Sequence, residues 1–112
     1  MKQKNNKVFI TGASGNIGKY LVDKLLKDGY KITVLTRNPS YLYANKNIKV
    51  VVADIIEIDK YKKQMCSCEY VFHLAAYQNM LDKKYDEFKR VNVDGTKVII
   101  EAIRSSNVKK LF

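Results

Sequence analysis

At 112 residues, 46% of them hydrophobic and only one a proline, the chain reads as one domain with one core and no low-complexity tract or repeat. The formal net charge of +10 comes almost wholly from lysine, 18 of 21 basic residues, spread along the chain; this argues against a built phosphate-binding patch, and no nucleic-acid partner is expected. No apolar run approaches the ~18 residues of a membrane span, and residues 1–6 lead straight into a strand, so the expectation is a cytoplasmic, reducing setting without a membrane partner.

Lys7 to Thr11, rich in β-branched and aromatic side chains, predicts a first strand. Gly12, Gly15 and Gly18 follow at G-x-x-G-x-x-G spacing and open a helix with apolar residues at Ile17, Leu21, Leu25 and Leu26. Each glycine has a physical use. Gly12 allows a tight turn off the strand, Gly15 lets the backbone approach an anion, and Gly18 permits close helix–strand packing. Free N–H groups at the helix start then suit a pyrophosphate, so the stretch reads as a dinucleotide-binding turn. Gly29 suits a left-handed cap at the end of this helix.

Lys31 to Leu35 predicts a second strand, stopped at Asn38-Pro39-Ser40, and residues 41–47 form a polar, tyrosine-bearing connection. Ile48 to Ala53 predicts a third strand ending at Asp54, and Ile55 to Cys66 carries helical periodicity through Ile58, Tyr61 and Met65. Cys66 and Cys68 stand alone as a C-x-C pair, too few ligands for a structural metal, and read as half-buried thiols near a helix end. Glu69 to Leu74 predicts a fourth strand leading to Ala75-Ala76. A long helix is expected from Lys83 to Ser106, with Phe88, Val91, Val98, Ile99, Ala102 and Ile103 on its apolar side. Lys109 to Phe112 looks like the beginning of a fifth strand.

Apolar strands joined by helices predict an α/β fold: a Rossmann-type, doubly wound parallel sheet in the order 3-2-1-4, with the start of strand 5. Ligands of such sheets sit at the carboxyl ends of the strands, where the order reverses. That gathers the glycine turn, Arg37, Asp54 and Ala75-Ala76 around one crevice.

Four stretches in this order resemble one family. They are Thr11-Gly12-Ala13-Ser14-Gly15-Asn16-Ile17-Gly18, Asp54-Ile55, His73-Leu74-Ala75-Ala76 and Asn92-Val93-Asp94-Gly95-Thr96. The chain is similar to the extended and atypical short-chain dehydrogenase/reductases, also called the NAD-dependent epimerase/dehydratase family, in its N-terminal cofactor-binding part. The resemblance implies that main-chain groups of Ser14, Asn16 and Ile17 bind the pyrophosphate. It implies that Asp54 and Ile55 hold the adenine, that Leu74, Ala75 and Ala76 line the nicotinamide-side ribose, and that Asn92 lies close to the cofactor. For Asp54, a helix N-cap at the loop is the structural alternative.

Arg37 stands where NAD users of this family commonly carry an acid, and a guanidinium can bind a 2′-phosphate. NADP(H) is therefore favoured over NAD(H), with a solvated loop charge as the alternative reading of Arg37. The family's catalytic Tyr-x-x-x-Lys pair follows the fifth strand, so no catalytic residue is assigned, and the catalytic region and substrate domain are expected to be absent from these 112 residues. Tyr20…Lys24 and Tyr85…Lys89 match the spacing but precede that strand and read as surface pairs. His73 reads as a packed, hydrogen-bonded side chain rather than an acid or base. The resemblance implies a parent that transfers hydride between nicotinamide and a small-molecule substrate, of reductase or nucleotide-sugar epimerase/dehydratase type. A non-catalytic dinucleotide-binding or redox-sensing module is the alternative. A homodimer stays open, since family dimers usually use helices that include the long one begun at Lys83.

Overall fold

The computed structural model describes residues 6–13, 16–37, 45–74, 86 and 89–112. Its core is a parallel sheet of β1 (Lys7–Thr11), β2 (Lys31–Thr36), β3 (Ile48–Val52), β4 (Tyr70–His73) and β5 (Lys110–Leu111). The strand order is β3-β2-β1-β4-β5, as the sequence predicts. The register pairs Val8 with Ile32 and Tyr70, and Thr11 with Leu35 and His73.

Alternation along β1 divides the interior into two layers. Val8 and Ile10 point to one face, where they join Val22, Leu25, Ile32 and Val34 beneath α1 (Asn16–Lys27). Phe9 points to the other, into a cluster with Ile55, Tyr61, Met65, Val71, Ile99 and Ala102. That second face is covered by α2 (Lys62–Cys66) and α3 (Gly95–Arg104). Each fully buried aliphatic or aromatic side chain stabilises by roughly 1.5–3 kcal/mol, so a central strand buried on both faces organises the domain.

The helices depart from expectation in three places. In α1 the buried side is Gly18, Val22 and Leu25, while Ile17 is 75% exposed. The helix predicted over Ile55–Cys66 is broken into a turn, a 3₁₀ segment Ile58–Lys60 and the short α2. The cause is local. The Tyr61 hydroxyl donates to the Ile55 carbonyl, and Glu57 Oε1 accepts from Asp54 N–H at 2.8 Å, which takes main-chain groups out of a helical ladder. The third departure is a π-helical turn at Arg90–Asp94, immediately before α3, within the predicted long helix. Gly95 brings α3 close to this layer, because a Cβ there would meet Ile55 Cγ2 at 2.8 Å.

The glycine caps follow expectation. Gly12 has φ +76° and Gly29 φ +88°. At the end of α1, Tyr30 N–H donates to Leu25 O and Gly29 N–H to Leu26 O, the paired bonds of a Schellman motif. The thiols lie beside helix carbonyls: Cys66 Sγ is 3.6 Å from Ala102 O and Cys68 Sγ 3.3 Å from Gln64 O. Burial pushes the Cys68 thiol up to about 11, which makes it unreactive. The expected stop at Asn38-Pro39-Ser40 lies outside the described residues.

Candidate functional site

The glycine turn leaves the carboxyl end of β1, the central strand. Its geometry requires glycine at two of the three positions. Gly12 adopts a left-handed φ of +76°. At Gly18 a Cβ would lie 2.5 Å from Gly12 O and 2.6 Å from Ala13 Cα, so the first turn of α1 rests directly on the backbone of the preceding turn. The start of α1 is thus held at the carboxyl end of the central strand, and a helix N-terminus in that place suits an anion. Ser14, Gly15, Ala75 and Ala76 lie outside the described residues, as does the Asn16 side chain.

The other predicted positions emerge at the same edge of the sheet, because neighbouring parallel strands all end there. Arg37 follows β2, Asp54 follows β3, and Leu74 follows β4 with its N–H donating to Thr11 O at 3.1 Å. Arg37 and Asp54 face each other, Nη1 to Oδ2 at 3.7 Å, with the guanidinium more exposed than the carboxylate. Asp54 is not the N-cap of a helix, as the alternative reading expects, but caps a turn: its Oδ1 accepts from Ile56 N–H at 3.2 Å, while Glu57 Oε1 accepts from Asp54 N–H. The Glu57 bond matches one half of a capping box, with its D-x-x-E spacing in the sequence, while Asp54 reaches only the second N–H of a turn. Glu57 is held below the usual carboxylate range by its hydrogen bond to Lys60 and then by the Asp54 N–H. The Ile55 side chain is buried against Gly95, so only its main chain remains for a ligand.

His73 ties three elements together. Its Nδ1 lies 2.8 Å from Thr11 Oγ1 and its Nε2 2.9 Å from Thr96 Oγ1. Thr96 Oγ1 in turn donates to the Asn92 carbonyl at 3.0 Å, within the π-helical turn. Burial holds the imidazole below its ordinary pKa. The expectation of a packed, hydrogen-bonded histidine agrees with this arrangement, but Thr11 and Thr96 were not singled out as its partners. The β1–β4 register, which sets Thr11 opposite His73, and the four-residue spacing of Asn92 and Thr96 carry that signal.

Of the two Tyr-x-x-x-Lys matches, Tyr20 is 74% exposed on α1, and Tyr85 lies outside the described residues. Lys89 pairs with Asp94 at 3.3 Å. Among the described residues no cluster of potential metal ligands occurs and no helix is long and apolar enough to cross a membrane. A cavity of about 530 Å³ beside Asn6, Tyr30, Glu69 and Lys109 opens at the opposite, amino-terminal edge of the sheet, away from these residues.

The chain is similar to known proteins in sequence and in fold. A putative dihydroflavonol 4-reductase of Synechocystis is 32% identical over 104 residues, covering 91% of this chain and 30% of the relative. Among solved structures, Pen from Bacillus thuringiensis superposes with a TM-score of 0.83 at 29% identity, over 99% of this chain and 37% of that one. MoeE5, solved with UDP-glucuronic acid and NAD, superposes with a TM-score of 0.76 at 28% identity, over 94% of this chain and 35% of its own. The chain thus spans about a third of the length of these proteins. The model of the NAD dependent epimerase/dehydratase family matches residues 8–112, and the chain belongs to that family.

Proposed function

We propose that this chain forms the dinucleotide-binding part of a reductase or nucleotide-sugar epimerase/dehydratase, with NADP(H) favoured and NAD(H) as the alternative. One observation carries the reading: the start of α1, where Gly18 has no room for a Cβ and Gly12 turns the chain with a left-handed φ, sits at the carboxyl end of the central strand beside the β1–β4 switch of strand order. The relative solved with NAD adds support.

In this reading main-chain groups of Ser14, Asn16 and Ile17 bind the pyrophosphate. Asp54 and the main chain of Ile55 hold the adenine, Leu74, Ala75 and Ala76 line the nicotinamide-side ribose, and Asn92 lies near the cofactor. Arg37 receives the 2′-phosphate by charge-assisted bonds and turns away from Asp54 to do so. The bound nicotinamide supplies hydride-transfer chemistry to a carbonyl or alcohol carbon. These residues bind and orient, and none of them is assigned a proton-transfer role.

Calorimetric titration of the chain with NADPH and NADH tests this. Saturable binding, tighter for NADPH and with that preference lost in Arg37→Ala, supports the full reading. Tighter binding of NADH restricts it to NAD(H), equal affinities remove the phosphate role of Arg37, and binding of neither nucleotide overturns it.

A further inference from the structure

We infer that His73 is a positioning residue of the dinucleotide site: as the neutral Nε2–H tautomer it ties the end of β1 to the π-helical turn, and so holds Asn92 in register with the glycine turn. The inference rests on the dinucleotide reading above.

Proton bookkeeping assigns the tautomer. Thr96 has one hydroxyl proton, and that proton goes to the Asn92 carbonyl, which can only accept. The Thr96 oxygen therefore accepts from His73, and Nε2 carries the hydrogen. Burial favours the neutral ring, in which Nδ1 is then an acceptor and takes the hydroxyl proton of Thr11. All three bonds run in one direction, from Thr11 through the imidazole and Thr96 to the Asn92 carbonyl, and such chains reinforce one another in a low-dielectric setting.

The placement follows from the sheet. Phe9, Thr11, Val71 and His73 share one side of β1 and β4, the side covered by α3, so alternation puts Thr11 and His73 side by side and His73 within reach of Thr96. Thr11 is buried and immediately precedes Gly12, and Asn92 is half-buried in the π-helical turn. A threonine bonded back to the carbonyl four residues earlier bends a helix, and π-helical turns are common at functional sites. The imidazole thus links a distortion in one helix to the starting point of the glycine turn. A side chain with no polar atom can make neither link.

The test uses His73→Leu, His73→Gln, the near-isosteric Thr96→Val and the double variant His73→Leu/Thr96→Val. Imidazole nitrogen chemical shifts of the wild type report the tautomer, amide hydrogen exchange of the nucleotide-free chain reports the turn, and calorimetry with NADPH and NADH reports the site. The expected results are the Nε2–H tautomer, and exchange at residues 92–96 faster by about tenfold in His73→Leu and in Thr96→Val. Dinucleotide affinity is expected to fall by a similar factor, with near-complete rescue in His73→Gln, which offers both a donor and an acceptor. The double variant is expected to be no worse than either single one. An Nδ1–H tautomer, unchanged exchange in Thr96→Val, or unchanged dinucleotide affinity in that variant would overturn the inference. The two readings fail differently: loss of the dinucleotide reading appears as a wild type that binds neither nucleotide, whereas loss of this inference alone appears as variants that bind as tightly as the wild type.

Discussion

Arg37 Nη1 and Asp54 Oδ2 lie 3.7 Å apart across the ends of the neighbouring strands β2 and β3. The residue proposed to attract a 2′-phosphate is thereby already beside a carboxylate, which lowers the local positive potential and would itself repel the phosphate. Replacing Asp54 with Asn removes that charge and keeps the shape. The NADPH-over-NADH affinity ratio should then rise by roughly threefold, the scale of a partly exposed ion pair. Arg37→Ala should lower the same ratio, and calorimetry on both variants reads the outcome. A ratio unmoved by either change would remove both residues from phosphate selection.

Gly18→Ala places a methyl group against Gly12 O and Ala13 Cα, backbone that no rotamer change can move aside. We expect a stability loss of about 1–3 kcal/mol and dinucleotide affinity reduced by more than tenfold. Chemical denaturation and calorimetry measure the two effects. Unchanged affinity in a folded variant would show that the turn does not bind the dinucleotide.

Gly29→Ala makes a useful contrast at the other end of α1. Nothing lies within 4 Å of a Cβ there, so the cost comes from the left-handed φ of +88° and not from a clash. The expected loss is about 1 kcal/mol, smaller for Gly29→Asn, because asparagine tolerates this conformation. Dinucleotide affinity should stay as in the wild type. Equal stability of the Ala and Asn variants would contradict the conformational account.

The pH dependence of stability should carry a contribution from His73. Burial holds its folded-state pKa below the ordinary 6.5, so the unfolded chain takes up the proton first as pH falls. The stabilisation is complete above pH 6.5 and is lost as pH drops through the depressed folded-state value. Melting temperatures of wild type and His73→Gln across about pH 5 to 8 should show a shallower slope in the variant over the acidic half of that range. Parallel curves would assign the slope to other groups.

Local residue chemistry carried much of this molecule. The β-branched and aromatic runs Val8-Phe9-Ile10 and Val50-Val51-Val52 marked strands, and Gly12 and Gly29 marked their two left-handed turns, because these features depend on neighbours a few residues away. The order β3-β2-β1-β4-β5 followed from the handedness of strand–helix–strand crossovers. The helix over Ile55–Cys66 was misjudged because Asp54, Glu57 and Tyr61 spend their hydrogen bonds on nearby main chain, a competition that apolar periodicity does not register.

Tertiary structure alone decided two things. Arg37 and Asp54 sit on separate strands and meet only because those strands run parallel and end together, so their spacing in sequence says nothing about their contact. Thr11, His73 and Thr96 likewise converge from β1, β4 and α3, and the π-helical turn beside them lies within a pattern that reads as continuous helix from end to end. Periodicity reports which face of an element is buried, whereas hydrogen bonds between elements depend on register and on side-chain direction, and those exist only once the sheet has formed.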